Sequence, residues 1–121
     1  MNPRRLSLAV GLTLLLVGCA HPQLHPGAVS RLDSSTYDVL YISQAVIEQA
    51  RAESTAGTLP DALKPPLNTL INAYNVARAS WLTYRSAVKL KTPADVGALN
   101  RNINLLSTAL RGFQSARSIP Q

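Results

Sequence analysis

Residues 66–90, PLNTLINAYNVARASWLTYRSAVKL, decide the fold of this chain. Leu67, Leu70, Tyr74, Ala77, Trp81, Tyr84 and Val88 recur at alternating steps of three and four, and Ile71 and Leu82 widen the stripe. That spacing places all seven on one face of an α-helix. The segment opens on prolines and closes at Lys91-Thr92-Pro93. Proline is tolerated in a first helical turn and stops a helix elsewhere.

Downstream, Val96, Leu99, Ile103, Leu106, Leu110 and Phe113 repeat the same alternation, which predicts a helix over 93–117. Thr92 is its expected N-cap, with Pro93 first and Asp95 third. Upstream, Val39, Leu40, Ile42, Val46, Ile47 and Ala50 give a broad apolar face and predict a helix over 35–54. Ser35, with Asp38 three residues on, has the pattern of a capping box. Between these helices, LPDALKPP at 59–66 holds three prolines, so one short turn around Pro60 to Lys64 is expected there.

A large apolar side chain gains ~1.5–3 kcal/mol on burial, so the three stripes face one another or a partner. Short connections make sequential helices antiparallel neighbours. The expected fold is therefore all-α, an up-down-up three-helix bundle over 34–121. An alternative is a hairpin of the second and third helices that completes its core as a homo-oligomer, since their period also suits a coiled-coil seam.

The N-terminal third is of another kind. Residues 19–33 are rich in Pro and Gly and lack periodicity, and they read as a flexible tether. Arg4 and Arg5 precede a 12-residue apolar run, 6–17. A membrane span needs roughly 20 such residues, so 1–18 reads as a processing signal. Its end, Leu16-Val17-Gly18-Cys19, matches all four positions of a lipobox. Over these nineteen residues the chain resembles bacterial lipoproteins. The resemblance implies cleavage before Cys19, a diacylglyceryl group on its thiol and anchorage to the cell envelope through that lipid. Ala20, where an Asp would signal inner-membrane retention, implies the outer membrane, facing the periplasm.

Cys19 is the only cysteine, so no intramolecular disulfide can form and packing must supply the stability. His21 and His25 each precede a proline and have no carboxylate close in sequence, which argues against a metal site. Beyond His25 there is no histidine or thiol, no Gly-rich phosphate loop and no paired carboxylates. These absences argue against an enzyme and against a cofactor.

Charge is uneven. Residues 19–61 carry two basic and five acidic side chains, whereas 62–121 carry eight basic ones and only Asp95. A cationic face could meet headgroups, lipopolysaccharide phosphates or an acidic partner, or simply solubilise the bundle. Export and thin spacing of the charges argue against nucleic acid. Tyr74, Arg78, Trp81, Tyr84 and Arg85 cluster within three helical turns, a combination able to hold a sugar face or a headgroup by stacking and cation–π contacts. Since Tyr74, Trp81 and Tyr84 lie on the apolar stripe, core packing with arginines along its edge is the favoured reading of them.

Three readings follow. One is an envelope-anchored helical adaptor or structural module that docks another protein. The second is a module for a small anionic, glycan or headgroup ligand. The third is a phage-related lysis lipoprotein, which the ordered helices disfavour.

Overall fold

The computed structural model describes residues 24–120. The lipobox Leu16, Val17, Gly18 and Cys19, the expected signal 1–18 and His21 all lie outside the described residues. The described chain is all-α: α1 (Arg31–Thr55), a 3-10 turn (Asp61–Leu63), α2 (Lys64–Lys89) and α3 (Val96–Ser118). Among these residues no helix is long and apolar enough to cross a membrane.

The helices run up, down and up. The start of α1 meets the end of α2 through Asp33 and Trp81, and Gln44 meets Tyr74 midway. Ser80 of α2 accepts from Asn102 of α3, and α2 and α3 share the most extensive interface. The far ends of α1 and α3 are joined by a 2.6 Å ion pair between Glu53 and Arg117, whose guanidinium lies over the Phe113 ring.

The α2 and α3 stripes bury as their periodicity requires, with Leu67, Leu70, Ala77, Tyr84, Leu99, Leu106 and Phe113 in the interior. Leu82 and Val96 lie outside it. On α1 the buried stripe is Asp33, Thr36, Leu40, Ser43, Ile47 and Ala50, at steps of three and four. Half of it is polar, and Ile42, expected in the core, is 52% exposed. The apolar core accordingly gathers where α1 ends, α2 begins and α3 ends, with Leu59 and Leu63 of the connection packed into it. Toward the start of α1 the interior turns polar.

Helix α2 starts at Lys64, two residues before the expected 66, and the other two helix starts differ by more. Helix α1 begins four residues earlier than residue 35, because Ser30 rather than Ser35 caps it, accepting from the Asp33 amide at 3.0 Å. Ser35 Oγ instead donates to Leu32 O. Helix α3 begins at Val96, not 93, because Asp95 is the N-cap, accepting from the Ala98 amide at 2.8 Å. Thr92 is drawn to the preceding helix, donating its amide to Ala87 O at 2.9 Å. The prolines at the start of α2 sit in its first turn as expected.

Residues 24–33 do not form a free tether. His25 donates its amide to Ser34 Oγ and stacks on Tyr37 at 3.8 Å between ring centroids. Val29 donates to Asp33, and Gly27 O accepts from Arg85. Residues 24–30 form a strap that folds back along the first turns of α1.

Candidate functional site

The cluster expected on α2 divides into two parts. The inner part is Trp81, Tyr84 and Arg85, which α2 presents to the polar end of α1. Asp33 is 0% exposed and accepts from the Val29 amide at 2.8 Å and from Trp81 Nε1. Arg85 Nε lies 3.6 Å from Asp33 Oδ1, an ion pair without a hydrogen bond, while its Nη2 donates to Gly27 O at 3.1 Å. The same guanidinium lies 5.1 Å from the Trp81 ring centre. Tyr84 Oη and Ser30 Oγ share a 2.9 Å hydrogen bond, so the α1 cap is tied to α2. These side chains hold the strap and the start of α1 in place. Their role is positional, and the sequence could show only the α2 half of it.

The outer part is a shallow groove between α1 and α2. Tyr74, Arg78 and Trp81 form one wall, and Tyr37, Tyr41 and Gln44 form the other. Tyr74 Oη donates to Gln44 at 3.2 Å across it. Tyr37 stacks on Tyr41 and tilts against Trp81, each pair 6.1 Å between centroids. Tyr41 is 64% exposed and Arg78 is exposed, so aromatic faces and a cation are both offered to the outside. Tyr37 and Tyr41 come from α1, outside the α2 cluster that the sequence singles out. Their spacing of four beside the Trp81 row is visible in the sequence, but which α1 face turns to α2 is not.

The groove encloses about 100 Å³. Pockets that engulf a small molecule are usually about 300–1,000 Å³. This groove can touch a flat or extended surface but cannot surround a ligand.

A second, larger feature lies on the other side of α2. An open groove of about 560 Å³ runs between α2 and α3, floored by Ala73, Ala109 and Phe113 and edged by Val76 and Leu105. Val76 is 52% and Leu105 62% exposed. The groove follows a second row beside each core stripe: Thr69, Ala73 and Val76 on α2, and Asn102, Leu105, Ala109 and Gly112 on α3. Neither row carries a charge, and small residues make up much of both. The groove is inconspicuous in the sequence because Thr, Asn and Gly do not stand out as an apolar pattern.

Among the described residues no group of three or more His, Cys, Asp or Glu side chains could hold a metal ion. Comparison with known protein families, curated proteins and solved structures finds no match to this chain.

Proposed function

We propose that this chain is a non-catalytic lipoprotein of the bacterial cell envelope, anchored through lipid on Cys19 and facing the periplasm from the outer membrane. Its bundle acts as an adaptor that docks another envelope protein. The lipobox sequence supports the anchor. The observation that carries the adaptor reading is the uncharged, open groove between α2 and α3, with Val76 and Leu105 at its edge. Exposed apolar side chains lining a continuous concave surface mark interaction sites more often than scattered ones do. A groove between two helices suits the apolar face of a third.

The test is photo-crosslinking in intact envelopes from position 108, which lines the groove. A crosslinked partner other than the chain itself is expected. The crosslink should disappear in Val76→Glu/Leu105→Glu, both surface changes, while the helical circular dichroism stays the same. Crosslinks only between copies of the chain would replace the adaptor with a homo-oligomer. The anchor is checked separately: Cys19→Ser should abolish lipid labelling and release or misprocess the chain, with the same helical circular dichroism.

A further inference from the structure

We propose that the groove between α1 and α2 is the membrane-facing side of the molecule: Tyr37, Tyr41, Tyr74, Arg78 and Trp81 rest on the headgroup layer of the bilayer in which Cys19 is anchored. This inference rests on the lipid-anchor reading and adds to it an orientation and a binding surface.

Three observations meet at this face. The first is the length of chain outside the described residues and where it ends. Only residues 19–23 separate Cys19 from the strap. Five residues reach at most about 17 Å, at 3.3–3.6 Å each. The bundle is therefore held close to the bilayer, not hung on the fifteen-residue tether that the sequence suggested.

The second is the place where the strap emerges. His25 is stacked on Tyr37, and Tyr37 packs on both Tyr41 and Trp81. The short leash thus starts beside the aromatic groove, with Leu24 exposed next to it. An attachment point at one side of a molecule turns that side to the membrane.

The third is chemistry. Tyr and Trp favour the headgroup level, where an amphipathic ring can keep its polar end wet. Arg78, exposed beside Trp81, adds a cation that pairs with lipid phosphate. Two exposed carboxylates of α1 flank this face: Asp38, about 100° around the helix from Tyr37, and Glu48, which accepts from the groove-wall Gln44 at 2.8 Å. The cation and the aromatic rings thus occupy the middle of the face and the carboxylates its margins. The groove is too shallow to enclose a ligand but suits a broad interface. With this side on the bilayer, the α2/α3 groove stays turned away from it and open to a partner.

The single-cysteine sequence makes the test direct. Once Cys19 is acylated, an introduced cysteine is the only thiol. Full-length protein expressed with its own signal is reconstituted into phosphatidylethanolamine/phosphatidylglycerol vesicles containing a headgroup-nitroxide lipid. A fluorophore is placed at Ala45→Cys beside the groove, at Leu105→Cys on the α2/α3 side or at Leu90→Cys at the end of the bundle. Quenching should be strongest at 45 and weakest at 105, and Tyr41→Ser/Arg78→Gln should reduce the quenching at 45 to the level at 105. Equal quenching at 45 and 105 overturns the proposal, and strongest quenching at 90 replaces the side-on posture with an end-on one. Flotation separates the two readings. If the unlabelled protein does not float with vesicles while Cys19→Ser behaves the same, the anchor itself fails and the orientation falls with it. If it floats but the labels quench alike, only the orientation fails.

Discussion

Asp33 and Thr36 lie one turn apart on the buried stripe of α1, and the structure predicts opposite consequences for removing their polar atoms. Asp33 accepts from Val29 and Trp81 and faces the Arg85 guanidinium. Asp33→Ala leaves two donors and a partly buried cation without their acceptor, and should cost about 3 kcal/mol. Thr36 is buried, and its Oγ1 has no hydrogen-bond partner. Thr36→Val keeps the shape and removes an unpaired hydroxyl, so it should add about 1 kcal/mol. Urea unfolding followed by circular dichroism checks both, and the same sign for the two variants would contradict this account of the polar end. By contrast, Asp61 is fully exposed, and the hydrogen bond and charge of Lys64 hold its carboxyl below the ordinary value. A depressed carboxyl stabilises above its unfolded pKa and loses that contribution as pH falls through the folded one. Here solvent screening makes the effect small.

At the scale of elements, α1 and α2 end in the same way on different residues. After α1, Thr58 donates to Glu53 O and Gly57 to Ser54 O. After α2, Thr92 donates to Ala87 O and Lys91 to Val88 O. Both are Schellman caps, which require a left-handed residue just past the helix. Gly57 has φ +74° and Lys91 has φ +55°. Only glycine adopts that region without steric cost. Gly57→Ala should therefore destabilise by about 1 kcal/mol, and Lys91→Gly should stabilise by up to about 1 kcal/mol. Thermal unfolding midpoints moving in opposite directions would confirm the pair. The cap also explains why Thr92 does not start α3: its amide and hydroxyl both go to Ala87 O, which closes α2.

At the scale of the whole molecule, stability is unevenly distributed. Apolar burial is concentrated around Leu63, Leu67, Leu70, Leu106 and Phe113. The opposite end is held by hydrogen bonds from the strap and from Tyr84, Trp81 and Arg85. Each such bond contributes about 1 kcal/mol net, less than a buried leucine. The strap should consequently open without the bundle. In native-state hydrogen exchange, the amides of His25 and Val29, which donate only to side chains, should exchange by local opening. Amides around Leu70 and Ala77 should exchange only through global unfolding. Equal protection at both sites would mean that the strap belongs to the cooperative core.

The sequence alone determined the helices of this protein and their order. The stripe of α2 repeats over three heptads and that of α3 over more than two, and local periodicity of that length leaves little choice of structure. It also determined the charge asymmetry and the absence of a second thiol. The tertiary structure alone decided which face of α1 is buried, where α1 starts and what becomes of residues 24–30. The physical reason is the same in each case. Those features depend on hydrogen bonds between residues 48 to 58 positions apart, Asp33 with Trp81, Ser30 with Tyr84 and Gly27 with Arg85. A buried Asp, Thr or Ser looks like a surface residue until its partner is brought beside it.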